Sequence, residues 1–168
     1  MITIVSGTNR KGSNTLKVAK EYQRVLKEKG IEAGLFSLEG INVMEHNTAF
    51  EKIEQDIIIP TNRFIFIVPE YNGSFPGVLK MLFDTSKSHE IWFHKLALIT
   101  GNDTGRAGNL RGMDHLADIL NYVKITVHPN KLPISQVNRL MDADGKFTDE
   151  GTLKAIGNQL DEFIKWMK

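Results

Sequence analysis

The sequence has no cysteine, only five histidines and no long apolar run, and each of these shortages excludes a class of function. Without cysteine the chain can form no disulfide bond, thiolate zinc site, iron–sulfur cluster or cysteine nucleophile. The histidines are scattered without the pairwise helical spacing of a zinc site. Any redox chemistry therefore has to come from a bound cofactor.

The chain also has no excess of positive or negative charge. The 21 lysines and arginines nearly balance the 20 acidic residues, for a net charge of +1, and no block of like charges occurs. Neither nucleic acid nor a membrane surface is indicated as a partner. The apolar runs are far shorter than a membrane span, and residues 1–5 lack a basic leader. We expect a cytoplasmic protein whose partners are small molecules or copies of itself.

Short apolar segments predict the strands of a sheet. The 168 residues suffice for one full core, so we expect a single domain over residues 1–168. Four segments read as buried parallel strands, with a weaker candidate at residues 33–37. The four cover residues 2–6, 64–68, 96–100 and 123–127.

Helical periodicity fills the intervals between these segments. The apolar stripes are Val18, Ala19, Tyr22, Val25 and Leu26; then Leu110, Met113, Ala117 and Leu120; then Leu153, Ile156, Leu160, Phe163, Ile164 and Met167. We interpret them as core-packing faces. The alternation predicts an α/β fold, a flavodoxin-like three-layer sandwich with a five-stranded parallel sheet of order 2-1-3-4-5. In that order the loops after strands 1 and 3 face one crevice.

The loop after the first strand, residues 7–15, is rich in hydroxyls and amides and opens a helix. The first N–H groups of a helix lack partners and carry partial positive charge, which suits a phosphate. Its side chains add the donors Thr8, Arg10, Ser13, Asn14 and Thr15. The patterns of triphosphate and dinucleotide loops are missing, so we predict a single phosphate joined to a flat or bulky group. A plain N-cap at Ser13 beside a turn at Gly12 explains the segment equally well.

Two further loops are unusual. Residues 69–77 combine two prolines, two glycines and two aromatic residues, which suits presentation of N–H groups and an aromatic face to a planar ring. Ser74 and Pro76 suit the start of the next helix, whereas nothing local explains residues 69–74. Residues 101–111 are rich in glycine, which allows close approach of the backbone to a ligand or simply a flexible turn. Taken alone, the segment favours the flexible turn. It borders the same crevice because strand 4 is expected beside strand 3.

On these three motifs the chain resembles the NADPH-dependent FMN reductase family, whose members reduce flavins, quinones, azo dyes and chromate on a flavodoxin-like fold. The run Pro69-Glu70-Tyr71-Asn72 is the most specific signal. The resemblance implies FMN as cofactor and NADPH or NADH as co-substrate. It also implies cofactor-binding residues: Thr8, Arg10, Ser13, Asn14 and Thr15 for the phosphate; Pro69, Glu70, Tyr71, Asn72, Gly73 and Ser74 for the ring; Gly101 and Gly105 on its far side.

The implied function is an FMN-dependent NAD(P)H oxidoreductase. It would transfer hydride from a nicotinamide to bound flavin and then to free flavin, a quinone or a similar small acceptor, in a ping-pong cycle without a protein acid or base. The helix after Pro76 carries more apolar side chains than one sheet can bury, so we expect a homodimer or homotetramer, as the family also implies. These side chains are Val78, Leu79, Met81, Leu82 and Phe83.

Two other functions stay open. A flavodoxin-type electron carrier would bind FMN without its own nicotinamide reaction, although such carriers are usually strongly acidic and this chain is not. A domain that binds a non-flavin nucleotide or a phosphosugar would use the same fold. The chain also lacks the family's proline-rich segment at residues 38–62 and has Met-Leu-Phe-Asp at residues 81–84, where Asn-Ala-Ile-Asp is usual. The acceptor and the choice between NADPH and NADH are left undetermined.

Overall fold

The computed structural model describes residues 1–166, which build one β-sheet with helices on both faces. The strands are β1 (Ile2–Ser6), β2 (Gly34–Ser37), β3 (Arg63–Pro69), β4 (Leu96–Asn102), β5 (Thr126–Val127) and β6 (Leu132–Ile134). The main path runs β2-β1-β3-β4-β5, and every pair is parallel. The predicted flavodoxin-like α/β fold is confirmed.

The fifth position of the sheet differs from the predicted single strand. Two short strands occupy it, because both β5 and β6 pair with β4, the first at its start and the second at its end. The sheet therefore has six strands within residues 1–166, instead of the predicted five. Residues 123–125 end the preceding helix and turn, with Ile125 N–H donating to Leu120 at 2.9 Å. Pro129, which has no N–H for a ladder, lies in the gap between the two strands.

In the described part of the chain, five α-helices flank the sheet. They are α1 (Asn14–Glu28), α2 (Thr48–Ile53), α3 (Gly77–Thr85), α4 (Leu110–Tyr122) and α5 (Glu150–Trp166). A π-helical turn at Glu54–Ile58 extends α2, and neither was predicted. Within residues 1–166 no helix combines the length and the apolar character that crossing a membrane requires.

Each face of the sheet buries its own apolar core, because successive strand residues point to opposite faces. Phe64 and Phe66 pack on the α3 and α4 side, and Ile65 and Ile67 pack on the α1 and α5 side. Every member of the predicted stripe of α1 is buried. A parallel sheet covered on both faces leaves its carboxyl edge as the place where the strand-to-helix loops gather.

Two predicted apolar faces need correction. Leu110 is the first residue of α4 and is 52% exposed, so the packed stripe of this helix begins at Met113. In α3, Leu79, Leu82 and Phe83 are buried. The other two members, residues 78 and 81, are half-buried against the same core, so the predicted apolar surplus is small. Met167, the last member of the α5 stripe, lies outside the described residues.

Candidate functional site

The loops after β1 and β3 border one cavity of about 250 Å3. The first loop contributes residues 10–15, and the second contributes Pro69, Glu70 and Tyr71. The remaining wall is made by residues 102–104 and Val137. The predicted meeting of the two loops follows from the sheet order, since β1 lies directly beside β3.

The first loop both caps a helix and leaves backbone donors unused. Ser13 is the N-cap of α1, and its hydroxyl accepts from Leu16 N–H at 3.1 Å. Gly12 makes the preceding turn at φ +62°, which favours glycine. Within residues 1–166 the N–H groups of Ser13, Asn14 and Thr15 have no acceptor. The N-cap at Ser13 is confirmed, and the unused N–H groups are compatible with the predicted phosphate site.

Thr8 links the two loops. It is 1% exposed, and its hydroxyl lies 2.8 Å from the Tyr71 hydroxyl. Arg10 adds a second link, because its guanidinium carbon lies 4.9 Å from the centre of the Tyr71 ring. Thr8 is not part of the cavity wall, whereas Arg10 and Tyr71 are.

The second loop is a tight hairpin with a local explanation that the sequence interpretation missed. Tyr71 and Ser74 exchange two backbone hydrogen bonds of 2.8 and 3.1 Å. Between them Asn72 and Gly73 have φ values of +52° and +82°. Asn-Gly is the favoured pair for a two-residue turn with positive φ at both positions. Asn72, Gly73 and Ser74 lie outside the cavity wall, and they shape the hairpin that carries Tyr71.

One face of α4 covers this hairpin. The prediction that Ser74 caps α3 is wrong: its hydroxyl lies 2.9 Å from Nδ1 of His115 instead. The cap position of α3 is held by Pro76, which makes no side-chain cap bond. Arg111 extends over the hairpin, 4.0 Å from Glu70 Oε1, and a Cβ built on Gly73 would lie 3.2 Å from its guanidinium.

The glycines of the third loop lie outside the cavity wall. A Cβ on Gly101 would come within 2.1 Å of the Gly108 carbonyl oxygen, so Gly101 permits close packing of the loop on β4. The Gly105 carbonyl accepts from Gln136 N–H at 2.8 Å. The cavity is bordered instead by Asn102, at the end of β4, and by the two residues after it.

Two asparagines that were not predicted as site residues hold this end of the sheet. Asn109 is fully buried with φ +66°, and its Nδ2 donates to the carbonyls of Val68 at 3.1 Å and Pro69 at 2.9 Å. Asn102 is 3% exposed, and its Oδ1 is buried without a partner. A polar residue at the carboxyl end of a predicted strand was the signal available for Asn102.

The chemical groups around the cavity match those of FMN. The unused N–H groups at the start of α1 and the Arg10 guanidinium suit a phosphate monoester. The rigid hairpin with Tyr71 suits a planar ring.

Comparison with known proteins gives concordant matches. The family model for NADPH-dependent FMN reductase matches residues 1–139. An NAD(P)H-dependent FMN reductase of Pseudomonas aeruginosa is 30% identical, over 98% of this chain and 93% of its own length. A 2-hydroxy-1,4-benzoquinone reductase of a Burkholderia species is 27% identical, over 66% of this chain; the match spans 63% of that protein, less than two thirds of its length.

A solved structure agrees in fold. The flavoenzyme NAD(P)H:(acceptor) oxidoreductase FerB of Paracoccus denitrificans superposes with a TM-score of 0.78 at 23% identity, over 98% of this chain and 95% of its own. At this identity the likeness concerns the fold alone. The family match over most of the chain goes further: the chain belongs to the NADPH-dependent FMN reductase family, and it is an enzyme with FMN as cofactor and NAD(P)H as co-substrate.

Proposed function

We propose that the cavity at the carboxyl edge of the sheet holds FMN and that the chain passes electrons from NAD(P)H to a small acceptor there. The observation that carries the proposal is the meeting of two loops at one cavity. The first loop brings a helix N-terminus with unused N–H groups, which attracts a phosphate. The second brings a rigid aromatic hairpin, which suits a planar ring.

In this assignment the phosphate accepts from the N–H groups of Ser13, Asn14 and Thr15. Arg10 supplies the balancing charge. Thr8 acts through Tyr71, because it fixes the hairpin by a hydrogen bond of 2.8 Å.

The ring borders Pro69, Glu70 and Tyr71, which line the cavity. The rest of the predicted ring-site residues act indirectly. Asn72, Gly73 and Ser74 shape the hairpin, and Gly101 and Gly105 shape the loop behind β4. Their proposed role is to position the residues that touch the cofactor.

When bound, FMN supplies the ring that accepts hydride from a nicotinamide and delivers it to the acceptor in a ping-pong cycle. The residues of this chain bind the phosphate, orient the ring and keep one side of it against protein. Glu70 and Asp103 are carboxylates of the wall, and the proposal gives neither a proton-transfer role.

The proposed acceptor is a quinone or a free flavin. The names of two relatives support this choice, since one is a 2-hydroxy-1,4-benzoquinone reductase and the other an FMN reductase. Both acceptors are flat and conjugated, so each can stack on a ring that is held at an open cavity.

An anaerobic titration followed by steady-state kinetics tests this function. The protein loaded with FMN is mixed with NADPH and, separately, with NADH while the flavin absorbance is followed. We expect the band to bleach with at least one nucleotide, and initial rates with a benzoquinone to give parallel double-reciprocal lines. Bound flavin that stays oxidised with both nucleotides would favour the electron carrier, and no flavin binding would favour a different nucleotide or a phosphosugar.

We propose that the chain forms a homodimer through α3 and α4. A groove of about 410 Å3 lies between these helices, and Tyr122 at its rim is 81% exposed. Phe83 and Ile119 add apolar surface to the groove. Sedimentation equilibrium tests the dimer: wild type should sediment at twice the chain mass, and Tyr122→Glu should lower the association constant. A wild-type monomer at high concentration, or a tetramer unaffected by Tyr122→Glu, would contradict the assignment.

We also propose that residues 1–168 form a single domain located in the cytoplasm. One sheet with an apolar core on each face supports a single domain over the described residues. A nicotinamide-dependent reaction on small molecules fits the cytoplasm. Limited proteolysis should yield no stable fragment of half length, and cell fractionation should recover the protein with cytoplasmic markers.

A further inference from the structure

A second groove adjoins the candidate cofactor cavity along α1. It measures about 370 Å3 and shares Gly12 and Ser13 with the cavity, whereas the ring-side residues 69–71 do not border it. One wall is a face of α1, and the other is the turn at residues 144–146. A ligand whose phosphate lies at the start of α1 can therefore extend in two directions, towards the hairpin or into this groove.

Cations line the groove from both walls. Lys17, Lys20 and Arg24 lie three and four residues apart, so they share one face of α1. Lys146 contributes a fourth cation from the turn. Arg24 is paired with Glu21 at 2.6 Å. Across the described residues 1–166, the three lysine ammonium groups form neither an ion pair nor a hydrogen bond.

The turn opposite α1 is fixed by its own hydrogen bonds. Oδ1 of Asp142 accepts from the N–H groups of Asp144 at 3.0 Å and Lys146 at 2.9 Å. Gly145 has φ +80°, and a Cβ at this position would lie 2.7 Å from Cδ of Lys17. The glycine thus leaves room for the aliphatic stem of Lys17, which is half-buried against the turn while its ammonium group stays unpaired.

This arrangement of charge favours an anionic ligand. Four cations and two carboxylates, those of Glu21 and Asp144, line the groove and leave it a net charge of +2. Lys17 and Lys20 are neighbours on the helix surface, where like charges repel each other. An anion in the groove would relieve this repulsion and gain charge-assisted hydrogen bonds.

The position of the groove selects the kind of anion. Flavin adenine dinucleotide, FAD, is FMN extended at its phosphate by a second phosphate and an adenosine. That extension begins at the phosphate loop, and Ser13 lies at the border between cavity and groove. Leu16 adds apolar surface for a base. A nicotinamide, by contrast, has to stack on the flavin ring, which the proposed function places beside the hairpin.

We propose that this groove binds the second phosphate and the adenosine of a flavin dinucleotide, so that the chain takes FAD as well as FMN. Lys17 and Lys20 bind the second phosphate, and Lys146 adds positive charge from the turn. The inference rests on the proposed function, because the ring and the first phosphate of FAD occupy the positions assigned to FMN.

Parallel titrations with the two flavins test the groove. Wild type, the single variants Lys17→Met and Lys20→Met, and the double variant are titrated with FMN and with FAD by calorimetry. Methionine keeps an apolar stem on the turn, so the loss of charge is separated from a loss of packing. We expect wild type to bind both flavins. The double variant should bind FAD about tenfold more weakly and FMN no more than about threefold more weakly than wild type.

The matched control is Lys27→Met, which removes the same charge at an exposed position of α1 outside the groove. It should leave the ratio of the FAD and FMN affinities at the wild-type value. The unfolding temperature of the flavin-free double variant should equal or exceed that of wild type, because the two ammonium groups repel each other and have no partner in the described chain. A structural role of the two lysines would lower it.

Three results would overturn the proposal. The first is a wild-type chain that binds FMN and not FAD. The second is an equal loss of affinity for both flavins in the double variant, which would assign the lysines to the first phosphate. The third is an unchanged FAD affinity together with a raised KM for NADPH and an unchanged KM for NADH, which would assign the groove to the co-substrate. A chain that binds neither flavin would overturn the proposed function as well.

Discussion

At the amino end of the sheet, buried Lys95 donates through Nζ to the carbonyl oxygens of Ile58, Ile59 and Thr61. At the carboxyl end, the N–H groups of residues 13–15 and the Oδ1 of Asn102 have no partner within residues 1–166. At the amino end, the Lys95 ammonium and the three carbonyl oxygens are partners within the chain. At the carboxyl end, the N–H groups and the amide oxygen have no hydrogen-bond partner in the chain. The satisfied end serves the fold, and the proposed function assigns the open end to the cofactor.

The largest effect of a substitution is expected at the amino end of the sheet. Lys95→Met removes the donor shared by three carbonyls, and we expect the free energy of unfolding to fall by about 3 kcal/mol. The affinity for FMN should stay within twofold, because Lys95 lies at the far end of the sheet from the cavity. Chemical denaturation and flavin titration measure the two quantities.

The control for this change is Lys52→Met, at an exposed position of α2. It should alter the free energy of unfolding by less than about 0.5 kcal/mol. A Lys95→Met variant as stable as wild type would break the distinction between the two ends.

The carboxyl end should show the reverse behaviour. Asn14 begins α1 and lines the cavity, so Asn14→Asp places a carboxylate beside the proposed phosphate. At a separation of about 6 Å and an effective dielectric constant of about 20, the repulsion weakens FMN binding on the order of 100-fold. Stability without flavin should rise slightly, because a carboxylate is favourable at a helix N-terminus.

Riboflavin, which lacks the phosphate, separates this repulsion from damage to the site. Its affinity should be nearly equal for wild type and Asn14→Asp. If riboflavin and FMN lost affinity to the same extent, the phosphate would not lie at this loop.

A smaller effect is expected where the two loops join. Tyr71→Phe removes the hydrogen bond to Thr8, and we expect a loss of about 1 kcal/mol in the free energy of unfolding together with weaker FMN binding by a few-fold. Tyr122→Phe is the matched control, because it keeps the ring that the proposed dimer uses and removes only a hydroxyl on a side chain that is 81% exposed in the single chain. It should give no change in either measurement. Equal effects of the two substitutions would show that the link between the loops is unimportant.

The smallest predicted effect is a pH dependence at the amino end. Burial lowers the pKa of Lys95 to about 8, whereas a lysine in the unfolded chain titrates near its ordinary value of about 10.4. Between these values the unfolded chain binds more protons than the folded chain, so the free energy of unfolding increases with pH. The stability difference between wild type and Lys95→Met should grow by about 0.7 kcal/mol from about pH 7.5 to 8.5 and stay constant below about pH 7. A difference that shrinks over this range would contradict the lowered pKa.

The sheet order and the meeting of the two loops could be predicted because both follow from strand patterns. Apolar runs in alternation with helical stripes specify a parallel sheet, and its topology sets which loops are neighbours. Residues 126–134 could not be predicted as a split strand, since each piece has only two or three paired residues. The helical turns at residues 48–58 were missed because they are short.

The candidate site was predicted at the level of loops and less well at the level of side chains. Ser13 and Tyr71 lie where the motifs indicate. Gly101 and Asn72 have mainly conformational roles, which a motif does not distinguish from ligand contact. Asn102 escaped notice because its burial and its missing partner depend on three strands that are distant in sequence.

The most direct test of the difference between the two ends is a map of chemical shifts in the 15N-labelled protein as FMN is added. The account predicts that the backbone amides of Ser13, Asn14 and Thr15 shift most. The amides around Lys95 should barely move. Shifts that cluster in the groove between α3 and α4, or that leave residues 13–15 unchanged at saturating FMN, would contradict it.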